Sequence, residues 1–258
     1  MKVLVKLGGT LLDAPESRAR LACELAAVAA GGIRLVVVHG GGKQMTRFLS
    51  ERGIESRFVN GLRVTTPETI DAVLKVFAGS VNHELVAALI AAGAPAVGLT
   101  GIDACLVEAD PLDPALGAVG KPVRANPELL ELLAAQRYVP VVACVAGDRR
   151  GRIYNVNADQ MAVACAAAFG AGRLLFLTDV AGVMGARSEL LSRLTAAECR
   201  TLIATGVASG GMQAKLNAAT DALDKGVGEV VIAPGAKPGI LAQLMAGEAA
   251  GTRLVREN

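Results

Sequence analysis

Two short glycine runs are the parts of this sequence best suited to binding an anion. They read Lys6-Leu7-Gly8-Gly9-Thr10 and His39-Gly40-Gly41-Gly42. Backbone that lacks side chains can bring its N–H groups close to an anion, and a following helix adds the positive end of its dipole. Either run alone is equally well explained as a tight turn. Their occurrence together predicts one oxyanion-binding site, although neither run matches a P-loop or a dinucleotide fingerprint.

Three further polar clusters carry side chains that could act on such an anion. They are Asn155-Val156-Asn157-Ala158-Asp159-Gln160, Thr178-Asp179-Val180-Ala181-Gly182-Val183 and Ser209-Gly210-Gly211-Met212-Gln213-Ala214-Lys215. Helix capping explains Asn157, but capping does not require Asp159 as well. A lysine in a helix is usually solvated surface. Because Lys215 follows a glycine pair at a helix start, its position favours contact with phosphate.

Buried β-strands precede both glycine runs and must position them. Val3-Leu4-Val5 and Leu35-Val36-Val37-Val38 are short, apolar and rich in β-branched residues, as in parallel sheets covered on both faces. We therefore expect both runs at the carboxyl ends of strands. That edge of an α/β sheet is where ligands bind.

The rest of the chain alternates between strand and helix patterns. Helices are predicted over residues 16–30, 66–92, 157–169, 195–204, 211–225 and 240–244, strands over 95–99, 138–145, 173–177, 229–232 and 252–255, and hairpins at Asn60-Gly61 and over 105–124. This alternation predicts an α/β fold, a three-layer αβα sandwich with a mainly parallel central sheet. No linker divides residues 1–258, so we expect a single domain with one continuous sheet.

Composition excludes several classes of function. The 258 residues are 52% hydrophobic, but only 3% aromatic and without Trp, and the net charge is +2, so we expect no nucleic-acid partner. Two histidines argue against a His-rich metal site or a Ser-His-Asp triad. The five scattered cysteines are expected to be buried free thiols. The lack of a leader or an uncharged apolar span predicts no membrane association and cytoplasmic residence.

Six motifs, taken in order, resemble the amino acid kinase family over essentially the whole chain. They are Lys6-Leu7-Gly8-Gly9, His39-Gly40-Gly41-Gly42, Asn60-Gly61-Leu62-Arg63-Val64-Thr65, Asn155-Val156-Asn157-Ala158-Asp159, Leu177-Thr178-Asp179-Val180-Ala181-Gly182-Val183, and Gly210-Gly211-Met212 with Lys215. The resemblance implies a carbamate kinase-like fold. It fails at residues 232–237, where many members carry a His followed by Asp-Gly-Arg, so the contacts of that loop stay open.

The resemblance also implies an activity, namely transfer of the γ-phosphoryl group of MgATP to the side-chain carboxylate of N-acetyl-L-glutamate in arginine biosynthesis. An ionised carboxylate needs no general base, so catalysis should depend on neutralising the repulsion between two anions. By resemblance, Lys6 and Lys215 flank the transferred group and Asp159 orients both amines.

Other residues take binding roles by the same resemblance. Substrate binding is implied for Gly41, Gly42, Arg63 and Asn155. Nucleotide binding is implied for Gly8, Gly9, Thr178, Asp179, Ser209, Gly210, Gly211 and Met212. Backbone N–H groups of Gly8, Gly41 and Gly42 are expected to donate to phosphate and acceptor oxygens. Mg²⁺ is expected to be carried by the ATP phosphates, with no protein metal site.

Family resemblance further implies a homodimer built on helices around Thr69 to Leu89. It divides the chain into an acceptor and dimer lobe over residues 1–170 and a nucleotide lobe over 171–258. Arginine-inhibited members have an additional helix before the first strand, which is missing here, so we expect no feedback inhibition by arginine.

Two alternatives to this activity stay open. One is an acetylaminoadipate-type kinase of lysine biosynthesis, against which the segment Leu62-Arg63-Val64-Thr65 argues. The other is a catalytically inactive sensor on the same fold that binds a nucleotide or an amino acid. Presence of both lysines and Asp159 weighs against the sensor, because simple binding does not require all three.

Overall fold

The structure is a computed structural model and describes residues 1–256. Its strands are β1 (Lys2–Leu7), β2 (Arg34–His39), β3 (Phe58–Val59), β4 (Leu62–Arg63), β5 (Ala96–Thr100), β6 (Val107–Pro111), β7 (Val119–Ala125), β8 (Val139–Ala143), β9 (Val145–Gly147), β10 (Ile153–Val156), β11 (Arg173–Thr178), β12 (Arg193–Thr195), β13 (Glu229–Pro234) and β14 (Thr252–Val255). Its α-helices are α1 (Pro15–Ala30), α2 (Gly42–Ser50), α3 (Pro67–Val73), α4 (Asn82–Ala91), α5 (Glu128–Ala135), α6 (Ala158–Phe169), α7 (Ala196–Ala204), α8 (Gly210–Asp224) and α9 (Ile240–Met245).

An eight-stranded sheet forms the centre of the molecule. Its strand order is β12-β14-β13-β11-β1-β2-β8-β5, and every neighbouring pair is parallel except β13 and β14. Helices α1, α4 and α9 pack together in one layer, and α5, α6 and α8 contribute to the other. The predicted three-layer α/β sandwich with a mainly parallel sheet is therefore confirmed.

The middle strands are fully buried and place the polar motifs at one edge. Residues Val3, Leu4 and Val5 of β1 are 0% exposed, as expected for a parallel strand covered on both faces. Strands β1, β2 and β11 are adjacent, and they end at Leu7, His39 and Thr178. Both glycine runs and the Thr178-Asp179 turn consequently emerge side by side, as the sequence predicts.

A second, smaller sheet was not predicted. The expected hairpin over residues 105–124 is present as β6 and β7, but β9 and β10 join it in a closed four-stranded arrangement of order β10-β7-β6-β9. Strands β9 and β10 have only three and four residues, too few to show a period in the sequence. The continuous central sheet is present as predicted, and the sequence predicts this hairpin but not the four-stranded sheet to which it belongs.

A long helix runs from Pro67 to Ala91 through α3, a π-helical segment at Leu74–Val81, and α4. It begins as predicted, because the Thr66 side chain caps it by accepting from the N–H of Thr69. It contains Glu68, Asp71, Lys75 and Glu84, in agreement with the expectation of no uncharged apolar span, although by length and a mean hydropathy of 1.4 it could cross a membrane. Core helices also pass that test, and α4 packs against β5 and β8.

The central sheet takes its strands from both halves of the chain. Strands β1, β2, β5 and β8 lie within residues 1–170, and β11 to β14 lie within the remainder. The junction between them is the ordinary parallel pairing of β1 with β11. A sheet that continues across both halves is consistent with a single domain. The assignment of the acceptor to one lobe and the nucleotide to the other stays a prediction.

Candidate active site

Three charged side chains from distant parts of the sequence meet at the carboxyl edge of the sheet. Lys6 lies near the end of β1, Asp159 in the first turn of α6 and Lys215 in the second turn of α8. The Nζ of Lys6 lies 2.7 Å from Oδ1 of Asp159, and the Nζ of Lys215 lies 2.9 Å from Oδ2. All three residues are less than 10% exposed. Both amines therefore converge on a single carboxylate.

The electrostatics of this trio favour bound anions. Burial acts to raise the pKa of Asp159, but the charges of Lys6 and Lys215 outweigh it and lower that pKa to about 2. Burial and the nearby Lys6 lower the pKa of Lys215, against the pull of Asp159. With all three groups ionised, the trio carries a net positive charge in a poorly solvated place. Such a site attracts an anion and keeps Asp159 from acting as a base at neutral pH.

Local sequence explains how α6 presents Asp159. The side chain of Asn157 accepts hydrogen bonds from the N–H groups of Asp159 and Gln160, at 2.9 and 3.2 Å. This cap fixes the first turn of α6, in which Asp159 faces the two lysines. Capping is therefore confirmed as the role of Asn157.

A cleft of about 470 Å³ opens beside Lys215 and Asp159. It is lined by Asn60, Gly61, Leu62, Asn157, Asp159, Thr178, Asp179, Val180, Gly210, Gly211, Met212, Ala214 and Lys215. Five of the eight residues implied in nucleotide binding are in this lining. Gly8, Gly9 and Ser209 are not, and Ser209 provides no side-chain cap to α8.

A second cavity of about 170 Å³ adjoins the cleft and shares Gly61, Leu62 and Asn157 with it. It is lined by Gly40, Gly41, Gly42, Phe58, Gly61, Leu62, Arg63, Phe77, Val119, Cys144, Asn155, Val156, Asn157 and Ala158. The four residues implied in acceptor binding, Gly41, Gly42, Arg63 and Asn155, all contribute to it. Lys6 lines neither cavity and reaches the site through its contact with Asp159.

Arg63 lines the second cavity and has no carboxylate partner among residues 1–256. Its guanidinium donates to the hydroxyls of Ser56 and Thr46 and to the carbonyl of Gly42, and none of its contacts within residues 1–256 is with an acid. The group lies 4.6 Å from the centre of the Phe58 ring. Burial lowers the pKa of Arg63. A buried guanidinium without a paired acid is suited to binding a carboxylate in bidentate fashion.

The two glycine runs touch each other at this edge. A Cβ on Gly9 would lie 3.0 Å from the backbone nitrogen of Gly42, so any larger residue would crowd the second run. The side-chain amide of Gln44 joins the runs further by donating to the carbonyl of Gly9. One expectation is wrong, because the N–H of Gly8 donates to the carbonyl of Leu177 at 3.0 Å and is not free for a phosphate.

The apolar wall of the second cavity was not predicted from the sequence. Phe58, Phe77 and Val119 line it, and nothing in their spacing marks them as site residues. Cys144 also lines it, and burial raises the pKa of its thiol to about 12, so it is a neutral packing group. All five cysteines are free, but Cys23 and Cys105 are exposed, which corrects the expectation that all are buried.

No group of three or more His, Cys, Asp and Glu side chains within residues 1–256 is arranged to hold a metal ion. The carboxylate at the centre of the site, Asp159, is already paired with two amines. The Thr178 hydroxyl donates to the carboxylate of Asp179, which also lines the cleft.

Comparison with known proteins gives consistent results. The model of the amino acid kinase family matches residues 1–234. A protein named acetylglutamate kinase from Solibacter usitatus (strain Ellin6076) is 68% identical over 255 residues, which cover 99% of each chain. A protein of the same name from Koribacter versatilis (strain Ellin345) is 44% identical over 258 residues, with 99% of each chain covered.

Solved structures agree on the fold. N-acetylglutamate synthase from Neisseria gonorrhoeae, complexed with coenzyme A and N-acetyl-glutamate, superposes with a TM-score of 0.89 at 25% identity, covering all of this chain and 60% of that one. Carbamate kinase from Giardia lamblia bound to AMP-PNP superposes with a TM-score of 0.74 at 17% identity, covering 99% of this chain and 98% of that one. By the family match and by these relatives, the chain belongs to the amino acid kinase family.

Proposed function

We propose that this protein transfers the γ-phosphoryl group of ATP to the side-chain carboxylate of N-acetyl-L-glutamate, a step of arginine biosynthesis. The observation that carries this proposal is the convergence of Lys6 and Lys215 on Asp159 beside two adjoining cavities. The 68% identity to a protein named acetylglutamate kinase supports this choice of acceptor.

The chemistry fits a site without a general base. The side-chain carboxylate of the acceptor has an ordinary pKa of about 4.3 and is ionised at neutral pH. One of its oxygens attacks the γ-phosphorus, the bond from that phosphorus to the β–γ bridging oxygen breaks, and ADP leaves with the electron pair. The barrier comes largely from repulsion between two anions. Cations that flank the transferred group lower such a barrier.

Within this proposal, Lys215 and Lys6 neutralise the transferred group, and Asp159 holds the two amines in place. Asp159 does not take a proton, because its low pKa keeps it ionised and paired. Arg63 binds the α-carboxylate of the acceptor, and the amide of Asn155 binds its polar backbone. Asn155 is itself oriented by a hydrogen bond from its Nδ2 to the hydroxyl of Thr65, at 3.1 Å.

ATP is assigned to the larger cleft. A volume of about 470 Å³ is within the range of small-molecule sites, and its lining combines backbone at the start of α8 with the polar groups of Thr178 and Asp179. The N-terminus of α8 offers unpaired N–H groups and a favourable dipole to phosphates. Mg²⁺ enters with ATP, held mainly by phosphate oxygens, and supplies further positive charge.

We also propose a cytoplasmic homodimer in which the helix from Pro67 to Ala91 contributes the contact face. Strand β5 is an edge strand of the central sheet, and Ile90 of the adjacent α4 is 56% exposed. An apolar side chain beside an uncovered sheet edge is typical of a surface that another chain covers.

The test is an assay for acyl phosphate, trapped with hydroxylamine as the hydroxamate, in the presence of MgATP. N-acetyl-L-glutamate and its homologue N-acetyl-L-2-aminoadipate are compared as acceptors, with the Lys215→Met variant as the inactive control. We expect turnover with N-acetyl-L-glutamate and little with the longer homologue. Preference for the homologue would assign the protein to lysine biosynthesis, and nucleotide binding without turnover would make it a sensor.

A further inference from the structure

One buried titratable side chain at the site has no part in the reaction as proposed. His39 ends β2 immediately before the second glycine run and is 0% exposed. Its Nδ1 lies 2.9 Å from the carbonyl oxygen of Gly40, and its Nε2 lies 2.9 Å from Nδ2 of Asn82. Asn82 is the first residue of α4 and is 1% exposed. Two buried polar groups are thus joined behind the glycine run.

The partners of Asn82 determine which nitrogen of His39 carries the proton. Nδ2 of Asn82 also lies 2.9 Å from the carbonyl oxygen of Val141, and only the NH₂ end of an amide can donate to a carbonyl. That same nitrogen faces Nε2 of His39, so Nε2 must accept. Nδ1 then carries the hydrogen and donates it to the carbonyl of Gly40. Burial lowers the pKa of His39 to about 4, which keeps this neutral form at physiological pH.

The hydrogen bond to Gly40 has a geometric consequence for Gly41. In a trans peptide the C=O and the following N–H point in opposite directions. No peptide bond in the described part of the chain is cis. With the Gly40 carbonyl turned inward to the imidazole, the Gly41 N–H must point away from His39. Gly41 lines the acceptor cavity, and its N–H donates to no atom of residues 1–256.

The long helix supports the same glycine run from behind through its π-helical segment. A Cβ on Gly41 would lie 2.8 Å from Cδ1 of Phe77 and 3.3 Å from Cγ2 of Val81, so this helix is packed directly on the glycine backbone. Phe77 and Asn82 are five residues apart, the spacing that i→i+5 hydrogen bonding brings onto one face. The π-segment therefore lets one helix provide both the apolar backing and the amide of Asn82.

We propose that His39 and Asn82 are positioning residues that orient the Gly40–Gly41 peptide, so that the N–H of Gly41 is aimed at an oxygen of the acceptor. This inference rests on the proposed function for the identity of that oxygen. His39 transfers no proton in the reaction. Its hydrogen bond fixes the Gly40 carbonyl. Because that carbonyl and the Gly41 N–H belong to the same peptide group, the hydrogen bond also fixes the direction of this N–H.

Two substitutions of His39 separate positioning from mere packing. Asparagine places an amide nitrogen at the same number of bonds from Cβ as Nδ1 and can still donate to the Gly40 carbonyl, whereas leucine cannot. We expect His39→Leu to raise the KM for N-acetyl-L-glutamate by about tenfold or more, with the KM for ATP changed by less than about threefold, because Gly41 lines the acceptor cavity and not the nucleotide cleft. His39→Asn should recover most of that loss.

A loss of folded protein alone would lower the apparent kcat and leave both KM values unchanged, and that result in both variants would overturn the proposal. Should His39→Leu not fold, Asn82→Ala replaces it, with the same split between the two KM values expected.

Nitrogen-15 NMR of the wild-type imidazoles tests the hydrogen bonding independently of activity, because the chain has only two histidines and His83 is exposed. We expect His39 to carry its hydrogen on Nδ1 between pH 6 and 8, as about two pH units separate this range from its pKa of about 4. Hydrogen on Nε2, or a cationic ring, would contradict the proposal. Lack of wild-type turnover with N-acetyl-L-glutamate would instead count against the proposed function and leave this readout intact.

Discussion

At the scale of single residues, the site depends on one carboxylate shared by two amines. Asp159 contacts Lys6 through one oxygen and Lys215 through the other. A carboxylate in that position cannot serve as a base. Its role is to hold two ammonium groups at the place where the like-charged reactants must meet. The resemblance of the sequence motifs to the amino acid kinase family predicts these three side chains. The wall formed by Phe58 and Phe77 could not be predicted, because apolar residues of a cavity resemble those of a core.

The low pKa of Asp159 predicts how its contribution to stability depends on pH. Its pKa is lowered from 3.8 to about 2, so the ionised group stabilises the fold fully above its unfolded pKa, and this contribution is lost as the pH falls through about 2. The shift corresponds to about 2 kcal/mol. Urea unfolding of wild type and Asp159→Asn between pH 5 and 2 should show a difference in the free energy of unfolding that shrinks with acidification. A difference that stays constant over this range would contradict the lowered pKa.

At the scale of elements, each residue of the charged trio lies near the start or the end of a helix or strand. Lys6 is next to last in β1, and Asp159 and Lys215 lie in the first two turns of α6 and α8. Most of the main strands and helices follow apolar periodicity and caps and were predicted, but helix α5 was not. Short elements such as β9, β10 and β12 escape prediction because three or four residues depend on tertiary pairing.

Loss of the cap of α6 should destabilise the protein. In Asn157→Ala the N–H groups of Asp159 and Gln160 lose their acceptor, and we expect the free energy of unfolding to fall by about 1 kcal/mol. The Asn157→Ser variant keeps a capping oxygen and serves as the matched control, with a loss of only a few tenths of that amount. Equal losses in both variants would show that Asn157 acts through the cavities that it lines rather than through the cap.

At the scale of the whole molecule, the central sheet brings together residues that are far apart in the chain. Strands β1, β2 and β11 lie side by side, so the two glycine runs and Thr178 share one edge. The smaller sheet of β6, β7, β9 and β10 adds Asn155 from the side. The mainly parallel direction of its strands was predictable from the alternation of strands and helices. The second sheet was not, and its place against the site follows only from the tertiary structure.

The proposed homodimer predicts that a charge on the face of α4 will separate the subunits. Ile90→Lys places an ammonium group where Ile90 is 56% exposed beside β5, and the molar mass from light scattering should fall from that of a dimer to that of one chain. Leu132→Lys is the matched control, because Leu132 is 62% exposed on α5, in the other helical layer. A wild-type protein of single-chain mass would refute the dimer, as would an Ile90→Lys protein that keeps the wild-type mass.

The proposed catalysis depends on Lys6, which lines neither cavity and touches the site only through Asp159. The decisive measurement is the kcat of Lys6→Met with N-acetyl-L-glutamate and ATP, alongside calorimetric titration of ATP. Lys2→Met, at the opposite end of β1, is the control and should change kcat by less than about twofold. We predict a fall in the kcat of Lys6→Met of about 10²–10³-fold, with ATP still bound. A kcat that stays at the wild-type level would contradict charge neutralisation by this pair of lysines.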